Sequence, residues 1–122
     1  IFLRSKNSSK LNIPGEFLAQ CCKLHSRFLR EVKPRVVICL GNGPGSSFEH
    51  AYKWFGSASR IETAFCGYRG KGRAFIRWFD SPAAGELSQN NNSLRIIGLP
   101  HPSRYWYKNL ESLNCKVKAL TG

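Results

Sequence analysis

The sequence predicts one α/β domain built around a small parallel sheet. Three observations lead there. Two apolar runs, Arg35-Val36-Val37-Ile38-Cys39-Leu40-Gly41 and Leu94-Arg95-Ile96-Ile97-Gly98-Leu99, have the β-branched content of strands covered on both faces. An amphipathic helical pattern precedes the first run, and a Gly-rich turn leading into a capped helix follows it. Helix, buried strand, turn and helix in that order form an α/β unit. At 122 residues there is room for one core and not for two, so residues 1–122 are assigned to a single domain.

The elements follow in order. Ile1-Phe2-Leu3 is a short apolar start, and Arg4 to Lys10 is polar and basic. Pro14-Gly15-Glu16 marks a helix beginning, with an acid in the first turn to complement the dipole. Phe17, Leu18, Cys21, Cys22, Leu24, His25, Phe28, Leu29 and Val32 then recur at three- and four-residue steps, giving one wide apolar face. Lys33-Pro34 stops the helix, and the first strand follows. Asn42-Gly43-Pro44-Gly45 is a tight turn, and Ser46 stands three residues before Glu49, the spacing of a capping box. Thr63–Cys66 and Ala74–Phe79 read as two strands joined by the flexible basic turn Gly67-Tyr68-Arg69-Gly70-Lys71-Gly72-Arg73. Ser81 to Ser93, with its run of three asparagines, reads as a solvated loop. Leu94 to Leu99 is the second buried strand, and Tyr107 to Leu120 a terminal helix.

Charge narrows the partners. Nineteen Lys and Arg against seven Asp and Glu give a net charge of +12. Such an excess favours polyanions through counterion release, with nucleic acid first and anionic membrane as the rival. No apolar run is long enough to span a bilayer, and no signal-peptide pattern is present. Five cysteines without repeated CxxC spacing point to a reduced intracellular protein, three of them falling on apolar stretches. His25 lies four residues after Cys21, but no second pair completes a zinc site, so no metal is assigned.

Two loops carry the chemistry. After Leu40, glycines at 41, 43 and 45 let backbone N–H groups approach a ligand, and the next helix presents its positive end. The same glycines also suit a plain strand-to-helix turn, and neither GxGxxG nor a Walker pattern is present. After Leu99, the run Pro100-His101-Pro102-Ser103-Arg104-Tyr105-Trp106-Tyr107 supplies an imidazole, a hydroxyl, a cation and three aromatics. In a parallel sheet both loops leave the same edge, where ligands of such sheets bind. Arg69, Lys71 and Arg73 could track a phosphate strand with Tyr68 available for stacking, or form a solvated turn. Phe75, Trp78 and Phe79 are assigned to the core rather than to a base platform.

In two segments the chain resembles the uracil-DNA glycosylase superfamily. Cys22 to Gly41, with Lys33-Pro34-Arg35 and Val36-Val37-Ile38-Cys39-Leu40-Gly41, looks like the family's helix, KPR and buried VVxxLG strand. His101-Pro102-Ser103 looks like its HPS motif, placed after a strand and sixty residues beyond Gly41. The resemblance implies a three-layer α/β/α fold with a small, mostly parallel sheet, truncated at its amino terminus. It implies DNA as partner, single strands included, and hydrolysis of the N-glycosidic bond of a flipped uracil or related damaged base.

In that mechanism negative charge develops on the departing base, and a preorganised donor in a water-poor pocket stabilises it. His101 matches the donor. Pro102 and Ser103 match the phosphate clamp that bends the backbone, with Arg104 beside them on DNA. Tyr105 and Trp106 stand where the family inserts a wedge into the gap left by the flipped nucleotide, offsetting part of the unstacking cost. Gly41-Asn42 matches the second phosphate-contacting loop. The family's water-activating Asp or Asn loop belongs upstream of residue 1. Ser5 or Asn7 falls near the place of the uracil-reading Asn, and no residue is assigned to that role. The iron–sulfur branch needs four spaced cysteines, of which only Cys21 or Cys22 matches, so neither cluster nor other cofactor is expected. The expected protein is an intracellular monomer. A non-catalytic nucleic-acid-binding module of the same fold is the alternative, and a nucleotide hydrolase using the same cleft a third reading.

Overall fold

The computed structural model describes residues 12–56, 59–69, 71–89, 92–101 and 110–122. Its elements run α1 (Gly15–Val32), β1 (Val36–Leu40), α2 (Ser47–Phe55), β2 (Glu62–Arg69), β3 (Gly72–Ser81), a 3₁₀ segment (Pro82–Leu87), β4 (Leu94–Leu99) and α3 (Leu110–Thr121). The four strands form one sheet in the order β1-β4-β3-β2. β1 and β4, the two apolar runs, pair in parallel from Val36 opposite Arg95 to Leu40 opposite Leu99. The other two pairings, β3 with β4 and β2 with β3, are antiparallel.

The α/β class is therefore as expected, but the sheet is mostly antiparallel rather than mostly parallel. The reason is the β2–β3 hairpin. β3 alternates buried and exposed residues and docks along β4 instead of leaving the hairpin as a separate ribbon. Helices lie on both faces of the sheet. On one, Phe48 and Ala51 of α2 meet Cys39, Phe79, Leu94 and Ile96, with Leu29 of α1 packed against them. On the other, Leu113, Val117 and Leu120 of α3 meet Cys66, Ala74, Ile76 and Ile97.

Local chemistry explains the helix limits. α1 begins after Pro14 and ends at Lys33, whose left-handed φ of 45° lets its N–H bond the Leu29 carbonyl. Its wide apolar face is only partly used: Cys21 is buried, whereas Leu24, Phe28 and Val32 are exposed. β1 also departs from the doubly covered strand expected of it. It is an edge strand, with Ile38 46% and Leu40 58% exposed.

The Ser81–Ser93 stretch is less solvated than its composition suggests. Ala84 and Leu87 enter the core, and the buried Ser81 hydroxyl accepts from the Ala84 N–H while donating to the Phe55 carbonyl. At the same end of the sheet, Asp80 and Arg95, cross-strand partners, form a two-pronged ion pair at 2.7 and 2.8 Å. Arg95 also donates to the Leu120 carbonyl at 3.1 Å, tying the end of α3 to the sheet. The carboxylate raises the Arg95 pKa still further, so the guanidinium stays charged. Among the described residues no helix is long and apolar enough to cross a membrane.

Candidate functional site

The parallel pairing of β1 and β4 places the two loops of interest on one rim. The Gly41 N–H donates to the Leu99 carbonyl at 2.8 Å, adding a rung to the ladder just before the strands diverge. Gly41 then turns with φ 103°, a conformation that disfavours any side chain. A Cβ at that position would lie 3.5 Å from Cβ of Ser46 and 3.7 Å from Cδ2 of His101. The imidazole thus stands directly against the Gly41 backbone and is itself exposed to solvent. Pro102, Ser103, Arg104, Tyr105 and Trp106 lie outside the described residues.

Asn42 locks this rim to the sheet. Its amide donates to the carbonyls of Phe75 at 2.7 Å and Gly98 at 3.0 Å, bridging β3 and β4 where their own pairing has ended. The Asn42 carbonyl in turn accepts from the Arg77 guanidinium at 3.2 Å. With both amide hydrogens committed, the donor that Asn42 offers a ligand is its backbone N–H. That N–H and the one of Gly43 find no acceptor among the described residues.

The start of α2 is capped as expected, with one difference. The Ser46 hydroxyl accepts from the Glu49 N–H at 3.3 Å, but the Glu49 carboxylate accepts from the Gly45 N–H at 2.6 Å instead of that of Ser46. A carboxylate therefore already sits near the positive end of α2, with Lys53 3.9 Å from it on the next turn. The Ser47 hydroxyl donates to the Leu40 carbonyl at 3.1 Å, tying the helix start to the end of β1.

Beneath this turn lies Cys39. Burial pushes its thiol above the usual range, and the Ser47 hydroxyl pulls it partly back. A raised thiol makes the folded chain hold its proton longer than the unfolded chain does, so the stability from this group falls as pH rises through the ordinary thiol range. Timed alkylation followed by mass spectrometry should accordingly label the exposed Cys115 first and Cys39 only on unfolding. Equal rates at the two positions would contradict this burial.

The third element at the rim is the β2–β3 hairpin. Because β3 runs antiparallel to β4, its start at Gly72 and the end of β2 reach the same end of the sheet as Gly41 and His101. The basic turn and the two loops thus share an edge. The sequence assignment of Phe75, Trp78 and Phe79 to the core divides: Phe79 is buried and Trp78 partly buried, while Phe75 is 40% exposed. Sequence reasoning missed Arg77 and Phe65. Arg73, Phe75 and Arg77 recur at strand spacing, a usable signal, but Phe65 joins them only through cross-strand pairing. His25, four residues after Cys21, lies against Trp54 with ring centroids 6.0 Å apart.

No family model, curated protein or solved structure matches the chain.

Proposed function

We propose that this rim binds DNA and excises a flipped uracil or related damaged base by hydrolysing its N-glycosidic bond, in the manner of the uracil-DNA glycosylase superfamily. The observation carrying the reading is the closeness of His101 to Gly41, its Cδ2 3.7 Å from where a Cβ on Gly41 would stand, at the carboxyl ends of the parallel pair β1 and β4. The Asn42 and Gly43 N–H groups, which find no acceptor among the described residues, stand in the same turn as Gly41 beside the imidazole, so one ligand can touch both. The N–H groups of Asn42 and Gly43 suit phosphate oxygens, and the net charge of +12 draws the polyanion to them. Once a nucleotide is flipped, His101 donates a hydrogen bond to the base oxygen on which negative charge grows. Water adds to the sugar carbon as the carbon–nitrogen bond breaks, the electron pair leaves with the base, and the proton that the water sheds goes in the end to the base anion. In this reading Pro102, Ser103 and Arg104 hold the phosphates around the flipped nucleotide, and Tyr105 or Trp106 fills the gap it leaves.

A second reading, a nucleic-acid-binding module without catalysis, is favoured by the fate of the polar groups in the turn. From Gly41 to Glu49 the one carboxylate is bound to the Gly45 N–H, and the Asn42 amide hydrogens are spent on backbone carbonyls. That carboxylate is the only one in the turn, and its bond to the turn's own backbone leaves it capping α2 rather than facing a water.

An oligonucleotide carrying a single uracil separates the two. After incubation and hot alkali, a strand break at the uracil is the result expected of the glycosylase. Intact strands that are still retarded in a gel in a salt-sensitive way would leave the binding module. Intact strands without retardation would end the DNA reading altogether.

A further inference from the structure

The β2–β3 hairpin has a face that the proposed chemistry does not use. The last paired residues of β3 and β4 are Arg77 and Gly98, and β3 extends five residues beyond, from Gly72 to Ile76. β4 itself ends one residue later, at Leu99, so at about 3.3 Å per residue the hairpin projects roughly 13 Å past it, forming a wall beside the Gly41 and His101 loops. α3 backs this wall on one face through Cys66, Ala74 and Ile76. The other face carries Phe65, Tyr68, Arg73, Phe75 and Arg77.

A bulge creates that grouping. Phe65 and Tyr68 are three apart and would point to opposite faces of a regular strand. The register shift between Phe65 and Gly67, where Gly67 takes φ 133°, puts them on the same face, opposite Phe75 and Arg73 respectively. Their rings meet edge to face at 5.1 Å, and Phe65 meets Phe75 at 6.0 Å. The Arg73 guanidinium lies 5.0 Å from the Phe65 centroid and 5.9 Å from that of Phe75. Tyr68 is 56% exposed. Between Thr63 and Phe79 the sequence has four cations, Arg69, Lys71, Arg73 and Arg77, and no acid.

Exposed aromatic rings in an acid-free cationic setting suit a ligand with flat apolar faces strung along a negative backbone. We infer that this hairpin face is a stacking platform for the unpaired bases of a single nucleic-acid strand, which it feeds toward the rim. Tyr68 offers a ring to one base. Arg73, spread over Phe65 and Phe75, offers its guanidinium plane to another base or its charge to a phosphate. Paired bases keep their faces inside the duplex, so the platform selects single strands. The Asn42 amide, bonded to the Phe75 carbonyl, fixes the platform relative to the phosphate-binding turn. This inference rests on the reading of the rim as a DNA site.

The test is fluorescence anisotropy with a short labelled oligothymidylate, and with the same strand annealed to oligoadenylate, across a salt series. Wild type should bind the single strand more tightly than the duplex. Tyr68→Ala should weaken single-strand binding about 5- to 30-fold, the scale of one lost stacked base. Duplex binding and the salt dependence should be unchanged, and Tyr68→Phe should bind like wild type. Arg73→Gln should lower the single-strand salt slope by about 0.7, one phosphate contact. Single-strand affinity unaltered in Tyr68→Ala, or single-strand and duplex affinity lost in equal measure, would overturn the platform while leaving the rim as a DNA site. If wild type binds neither probe, the DNA reading falls before any variant is compared. Thermal melts of the variants confirm folding, which the exposure of Tyr68 leads us to expect.

Discussion

Replacing His101 with alanine should slow base excision by roughly 100- to 1,000-fold, the usual cost of removing one donor to a developing anion. DNA affinity should stay within about threefold of wild type, because the proposed reading puts the phosphate contacts elsewhere on the rim. The asymmetry follows from position. His101 stands against the Gly41 backbone at the end of β4, where it can reach a base turned out of the stack. In the proposed reaction its hydrogen bond to the base would strengthen only as the bond to the sugar breaks, so its loss would be felt in the transition state more than in the ground state. Single-turnover cleavage of a uracil oligonucleotide gives the first quantity and anisotropy the second. An equal loss of rate and affinity would assign His101 to binding. His101→Gln, which keeps an N–H donor on a side chain of similar reach, should recover part of the rate if donation is what matters. If the domain is a binding module, neither variant has a rate to lose, and the comparison reduces to affinity.

The rim was legible in the sequence because it depends on local signals. Val36 to Leu40 and Leu94 to Leu99 declare themselves by their unbroken apolar character, and two parallel strands send their following loops to one edge. The Ser46 and Glu49 spacing gave the start of α2, although the partner of the carboxylate shifted by one residue to Gly45. What stayed hidden depends on which strand lies beside which. The Thr63–Cys66 and Ala74–Phe79 strands were visible as a hairpin, but nothing local says that β3 joins β4. That one pairing makes the sheet mostly antiparallel and carries the start of β3 to the edge that holds Gly41 and His101. The bulge that gathers Phe65 and Tyr68 on one face was likewise hidden, since simple alternation puts them on opposite faces. The polar run from Ser81 to Ser93 disguised Ala84 and Leu87 as loop residues when both reach the core. The apolar face of α1 misled in the other direction: helical periodicity reports what could be buried, and Leu24, Phe28 and Val32 are exposed.

Gly98→Ala should destabilise the fold by about 1–3 kcal/mol, lowering the melting temperature by roughly 5–10 °C for a chain of this size. Gly98 lies in the middle of the sheet, opposite Cys39 on one side and Arg77 on the other. An added Cβ would come within 2.5 Å of Cγ and 2.6 Å of Cδ2 of Phe48, and within 2.8 Å of Cβ of Asn42. Neither neighbour can step aside cheaply. Phe48 is 2% exposed and packs edge to face on Phe79 at 5.6 Å, while Asn42 is held by the Phe75 and Gly98 carbonyls and by Arg77. The clash therefore passes along the chain into the Gly41 turn. Weaker binding of DNA should accompany the lower melting temperature even at temperatures where the variant is fully folded. Gly43→Ala provides the control, since no atom of the described residues lies within 4 Å of an added Cβ there and its φ is not left-handed. It should melt at or slightly above the wild-type temperature through the lower entropy of the unfolded chain. A Gly98→Ala protein as stable as wild type would mean that Phe48 does not seat on β4, and the anchoring of the rim through Asn42 would have to be abandoned with it.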